Sequence, residues 1–231
     1  MRVNADFSER VIVAPDQYQW AASPQAGVER MMLDRIGDEK ARATSIVRYA
    51  PDSHFPPHSH PDGEEILVLS GTFSDESGDF PAGWYLRNPP DSSHQPASRE
   101  GAIIFVKLRQ MAPGEDRHVS GQVSGQVSID TRDPACWQRQ GERMVCPLYW
   151  SPAEQVCLQR LEAGQAVLDK PVGGAELLVL EGEIAAGEQA YGRGAWLRLP
   201  PGEWPDFVAG RQGVTFYLKT GHLADPGTTA P

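Results

Sequence analysis

The sequence predicts an all-β chain folded as two tandem barrels. Three observations carry this: short apolar runs punctuated by turn residues, an internal repeat as long as a domain, and a stretch rich in small polar residues between its two copies. The runs are Thr44–Tyr49, Ile66–Leu69, Trp84–Leu86, Ile103–Leu108, Leu177–Leu180, Ala195–Leu199 and Val214–Leu218. The 23 glycines and 20 prolines are spread along the chain and close these runs off, as expected for strands joined by tight turns. No long segment carries a helical period; the N-terminal region has room for one short helix.

The repeat is ungapped at an offset of 111 positions, the distance from Gly71 to Gly182. At that offset Gly63 matches Gly174, Glu65 matches Glu176, and Leu67-Val68-Leu69 matches Leu178-Val179-Leu180. Gly83, Leu86-Arg87 and Pro89-Pro90 match Gly194, Leu197-Arg198 and Pro200-Pro201. With a shift of two, Glu29-Arg30-Met31 matches Glu142-Arg143-Met144. A repeat this long reads as domain duplication rather than a solenoid. The expected organisation is a first barrel over residues 1–112, a linker over 113–130 and a second barrel over 131–231. Val119, Val123 and Val127 recur every four residues in the linker, which also suits an edge strand.

Bulk composition excludes some classes of partner. At a formal net charge of −10 and a pI near 5.0, the chain repels nucleic acid and anionic membrane surfaces, so neither is expected as a partner. No run approaches the roughly 20 apolar residues of a membrane span, and the first residues lack the apolar core of a signal peptide. Cys136, Cys146 and Cys157 are odd in number and form no CxxC, so they are expected as free, apolar residues rather than disulfides or thiolate ligands. A cytoplasmic setting is the expectation.

Chemistry concentrates in the first copy. His58 and His60 are separated by one residue, so on an extended strand both imidazoles point to one face. Glu64 follows after Pro61-Asp62-Gly63, and His94 lies 34 positions beyond His60, just past Pro89-Pro90. Three imidazoles and one carboxylate suit a borderline divalent metal and leave coordination positions for water or substrate. His58, His60, Glu64 and His94 are the expected metal ligands. Glu65 is the competing carboxylate, but adjacent strand residues face opposite ways, and only Glu65 is kept in the second copy, where Glu64 becomes Ala175. A residue that survives without the site reads as structural, so Glu64 is preferred.

The run from His58 through Glu64 to Gly71 resembles the first signature of the cupin superfamily, and Arg87 to His94 resembles the second. Across Thr44 to Met111 the chain is most similar to the ChrR-like cupins. The resemblance implies double-stranded β-helix (jelly-roll) barrels, with two His and one Glu on adjacent strands and a third His opposite. These roles fall on His58, His60, Glu64 and His94. Asp91 stands where the second signature usually has Gly; Asp tolerates a left-handed turn, so the turn is expected to survive.

The second copy replaces His58, His60, Glu64 and His94 by Asp169, Pro171, Ala175 and Pro205, so one metal per chain is expected. Zinc or iron is favoured, and nickel or manganese also suits the ligand set. The second barrel is expected to support the first; an apolar pocket lined by Trp196, Trp204 and Phe207 is the alternative to plain core. His54, His118 and His222 are expected at the surface, and Arg87 and Arg198 in structural salt bridges. Tyr49, Trp84 and Gln95 are candidates to line the metal pocket.

Three functions are compatible with this reading. The first is a mononuclear metal enzyme of dioxygenase type acting on a small organic molecule. The second is a regulatory or sensing cupin like that of the anti-sigma factor ChrR. The third is a structural zinc barrel. About 40 residues precede the cupin core and contain neither Cys nor His, so no zinc-bearing sigma-binding domain is expected. A homodimer is the expected assembly, since cupins often associate through strand edges.

Overall fold

The computed structural model describes residues 1–38, 40–111 and 126–223. Every apolar run named above falls within or abuts a strand, and the helical content of the described residues includes two short 3-10 turns, Pro15–Gln17 and Pro134–Cys136. The chain forms two compact units.

The first unit's main sheet runs, neighbour to neighbour, through strands Arg2–Val3, Val28–Ile36, Arg42–Tyr49, Ala102–Leu108, Glu64–Asp75, Trp84–Asn88 and Val127–Asp130. The second runs through Gln138–Gln140, Arg143–Trp150, Gln155–Leu161, Val208–Thr220, Ala175–Ala186, Trp196–Leu199 and Val11–Val13. From the second member onwards the two orders correspond strand by strand. The irregularities correspond too. The ladder slips by one residue at Leu69 against Ala102–Leu108, and at Leu180 against Val208–Thr220. Soon after each slip, Gly71 and Gly182 both adopt φ of +69°, and a Cβ there would collide with the carbonyl oxygen of Gly101 or of Gly213. Only glycine fits so close a strand crossing.

The unit boundaries differ from those expected at 112 and 131. Residues 6–18 belong with the second unit and residues 126–132 with the first. The reason is strand pairing. Val11, Ile12 and Val13 pair with Arg198, Leu197 and Trp196, while Val127, Ser128 and Ile129 pair with Arg87, Leu86 and Tyr85. The strand that precedes each copy therefore completes the sheet of the other. Val127, the last of the linker valines, is one of these strand residues; Val119 and Val123 lie outside the described residues.

Strand alternation sorts side chains onto two faces. In the first unit Val28, Val47, Ile66, Val68, Leu86, Ile104 and Val106 share the interior cluster. The opposite face of the same strands buries Glu65, Arg87 and Lys107 side by side, since Glu65 pairs in register with both others. Arg87 Nη1 lies 3.0 Å from Glu65 Oε2, and Lys107 donates to Thr44 Oγ1 at 2.9 Å. The second unit repeats this row as Glu176, Arg198 and Lys219, again in register and buried. There Lys219 pairs with Glu154 at 2.9 Å, Trp196 Nε1 donates to Glu176 at 2.8 Å, and Arg198 donates to the Asp6 carbonyl at 2.7 Å.

Candidate metal centre

Residues His58–His60 and Ser92–His94 form a separate two-stranded ribbon in which His58 faces His94 across the strands and His60 faces Ser92. Alternation brings His58 and His60 to one side, and the cross-strand register adds His94. The three ring centroids lie 4.8, 4.8 and 5.3 Å apart, and one nitrogen from each ring lies within 4.8 Å of the others. His60 Nε2 and His94 Nε2 are 3.0 Å apart. Asp91, at the turn that starts the second strand, takes φ of +65° and donates its N–H to the His60 carbonyl at 2.9 Å, so the departure from Gly leaves the turn intact.

The carboxylates separate as strand alternation requires. Glu64 is on the interior face, two residues before Ile66, with Oε2 at 3.3 Å from His94 Nε2 and 3.6 Å from His60 Nε2. Glu65 points to the other face, toward Arg87. All four expected ligand residues are thus brought together, and Glu65 is not among them.

Further groups set the orientation of these side chains, and no sequence motif marks them. His94 Nδ1 lies 3.2 Å from Asp75 Oδ2, and His58 Nδ1 lies 2.9 Å from the Pro56 carbonyl oxygen. Each partner holds the proton on Nδ1 and leaves Nε2 with a lone pair. Asn88 donates to Glu64 Oε2 at 2.9 Å, and Gln126 donates to Asn88 Oδ1 at 2.8 Å. Asp75 closes the long strand that Glu64 opens, so one strand supplies both the carboxylate in the cluster and the one behind it.

The electrostatics follow from burial and these contacts. Burial, then the charges of His94 and His58, pushes His60 down to about 3, which keeps it neutral. His58 is also lowered, chiefly by burial, against the pull of the Pro56 carbonyl. Burial lowers His94 as well, but the Asp75 hydrogen bond and the Glu64 charge outweigh it, and its pKa is raised. Burial raises Glu64, with partial relief from His94 and Asn88. Burial works against Asp75 ionising, yet the His94 contact and the Ser77 N–H bring its pKa below the usual value. Three converging imidazoles, two of them held neutral by burial, beside a buried carboxylate form a donor set that fits a divalent ion, whose charge would displace any proton from His94. Among the described residues no other group of three such side chains converges this way.

The remaining sequence candidates distribute as follows. Tyr49 lies in the interior cluster, in edge-on contact with Phe55 and Phe73, which in turn contact His58 and His94. Trp84 packs against Phe80 at the same cluster, and the Gln95 N–H donates to Glu76. His54 is exposed, as expected. His222 is not at the surface: its side chain is buried with Nε2 at 3.2 Å from Glu176, because the segment that follows strand Val208–Thr220 turns back onto the second unit's charged row. His118 lies outside the described residues. None of the three cysteines forms a disulfide with another described residue.

In the second unit Asp169 and Pro171 are exposed, Asp169 pairs with Arg143, and Ala175 is fully buried in an apolar cluster with Leu177, Leu197 and Phe216. Trp196 and Phe207 are core, while Trp204 is half exposed and donates to the Leu168 carbonyl, so these aromatics do not gather around one pocket.

Comparison with known proteins supports the fold. Residues 8–112 match the family model of the ChrR Cupin-like domain. The fold is that of tandem cupins. A protein from Nostoc punctiforme described as a candidate dioxygenase superposes with a TM-score of 0.74 at 14% identity, covering 97% of this chain and 88% of its own. Pirin YhhW from Escherichia coli, solved in complex with nickel(II), gives 0.64 at 13% identity, with coverage of 92% and 98%. A point mutant of salicylate 1,2-dioxygenase from Pseudoaminobacter salicylatoxidans gives 0.61 at 12%, with coverage of 94% and 85%. No curated protein matches the chain. Among the described residues, no helix is long and apolar enough to cross a membrane.

Proposed function

We propose that His58, His60, His94 and Glu64 hold one divalent transition metal, and that the first cupin uses it to bind and transform a small organic molecule in a dioxygenase-type reaction. The observation that carries this reading is the convergence of one nitrogen from each of three imidazoles with one carboxylate oxygen, His58 and His94 each being oriented from behind by its own hydrogen-bond partner. When bound, the ion supplies Lewis acidity and, if it is iron, redox chemistry with dioxygen. The protein's part is to keep His58 and His60 neutral, to orient His94 against Asp75, to hold Glu64 against Asn88, and to line the site with Phe55 and Phe73. His58 is only partly buried, which gives the cluster an open side. A structural zinc site would instead be tetrahedral on these same four ligands, with no position left for substrate. The neighbours bound to nickel or named as dioxygenases are consistent with this reading.

The test is metal analysis of the purified protein coupled to oxygen-uptake assays with diketones and hydroxybenzoates. About one equivalent of iron with substrate-dependent uptake is the expected result. Stoichiometric zinc with no uptake would remove the enzymatic reading and leave the metal site.

A further inference from the structure

Arg30 is a cation on the wrong side of its strand for a surface salt bridge. It lies two residues after Val28 and pairs in register with Val47, so it shares the interior face with both, and both belong to the interior cluster. Its neighbour on the strand shows the usual arrangement: Glu29 faces outward, ion-paired with Arg48 at 2.6 Å, and Arg48 also lies 4.3 Å from the Trp20 ring. Among the described residues, no carboxylate stands within ion-pair distance of Arg30. Val28 pairs in register with Tyr49, whose ring meets Phe55, and Phe55 meets His58, so the strand that carries Arg30 borders the partly open His58 side of the cluster. Asp75 lies behind His94, and Glu76 accepts the N–H of the next residue, Gln95. The first barrel thus holds a carboxylate behind His94 and a half-buried guanidinium on the strand that borders His58.

A desolvated cation needs a counter-charge, and a guanidinium's planar fork matches two oxygens of one anion. We propose that Arg30 is the counter-charge of the ligand: the first barrel binds a small organic anion, a carboxylate or enolate, on its interior face between Arg30 and the histidine cluster. The proposal deepens the metal reading, on which it rests, by naming the ligand class. Charge favours it too, since a divalent ion, the Glu64 carboxylate and Arg30 together leave a net positive site. Arg30 acts as a specificity-determining group for charge.

The experiment is calorimetric titration of the full chain, as purified and after chelation, with formate, acetate and benzoate against formamide, acetamide and benzamide. Wild type is expected to bind at least one of the anions about tenfold more tightly than its amide. Arg30→Gln is expected to lose that preference without changing amide binding or metal content, and Arg30→Lys to restore part of it. Wild type without an anion preference, or R30Q with the preference intact, overturns the proposal. Failure of the metal reading looks different. Protein that binds no metal yet shows an Arg30-dependent preference keeps the anion subsite and loses the metal centre. Protein that binds metal with no such preference does the reverse.

Discussion

The two barrels share a frame and differ in their contents. Strand order, the slipped residue at Leu69 or Leu180, the glycine at 71 or 182, and the buried row of Glu, Arg and Lys are common to both. The interior is not. In the first, Arg30, Tyr49, Glu64 and the three histidines make a polar centre in an apolar barrel; in the second, Ala175 and its neighbours make continuous apolar core. These features belong to the barrel as such, while the histidine cluster is something the second barrel folds without.

Substitutions can break or sharpen this contrast. The largest difference is expected in metal content. His58→Ala and His94→Ala should each lower metal affinity by more than the roughly 10–100-fold that loss of an outer hydrogen-bond partner costs, read as metal retained after dialysis by elemental analysis, because each removes a ligand atom itself. Asp169→Ala, at the matching place in the second copy, should change nothing. Next come the charged rows. Glu65→Leu leaves Arg87 buried without its partner and should cost about 3–5 kcal/mol in denaturant unfolding. Glu176→Leu should cost a similar amount, and a marked inequality would show that the rows are not equivalent. Gly71→Ala and Gly182→Ala should each cost about 2–4 kcal/mol, through a left-handed backbone and a strand crossing that has no room for Cβ. Smaller again is Asp75→Asn, which should weaken metal affinity by about 10–100-fold through His94 with little change in fold stability, since an amide oxygen can still accept the Ser77 N–H.

The smallest effect is a pH dependence confined to the first barrel. Neutral histidine is built into the fold at His60, with a pKa of about 3, and at His58, which is also lowered, whereas the unfolded chain protonates near the ordinary histidine value. Below that value the unfolded state binds more protons. The stability contributed by these two residues is therefore full above about pH 6.5 and is lost as pH falls toward 3. His94 has the opposite sign: its raised pKa adds stability at low pH that disappears as pH rises through its folded value. Chelator-treated protein should thus lose stability on mild acidification, by thermal melting across about pH 7 to 4. In His58→Ala/His60→Ala protein this dependence should shrink.

Much of this was legible in the sequence because it was local or repeated. An HxH on an extended strand needs only alternation to bring two rings to one face, and the second copy served as an internal control that separated Glu64 from Glu65. The parts that were not legible depend on contacts distant in the chain. Nothing in the run around Asp75 shows that its carboxylate returns to His94, nineteen positions on. Arg30 sits in an ordinary polar–apolar alternation, and only the pairing of Val28 with Tyr49 and of Arg30 with Val47 reveals its face. His222 looks like part of a polar tail until the segment after strand Val208–Thr220 is seen folded onto Glu176. The crossed pairing of residues 11–13 and 127–130 was hidden for the same reason, since each is a short strand whose partner lies in the other copy.

That crossed pairing limits how the molecule can be divided. A gene fragment ending at residue 112 would encode every metal-site residue yet leave Trp84–Asn88 as a bare hydrogen-bonding edge, with residues 11–13 left over as an orphan strand seeking one. Two such fragments have the means to satisfy each other. The tandem chain thus resembles a strand-swapped pair fused into one polypeptide, in which losing either copy strips a strand from its sibling, and this alone gives a second barrel without the histidine cluster a reason to persist.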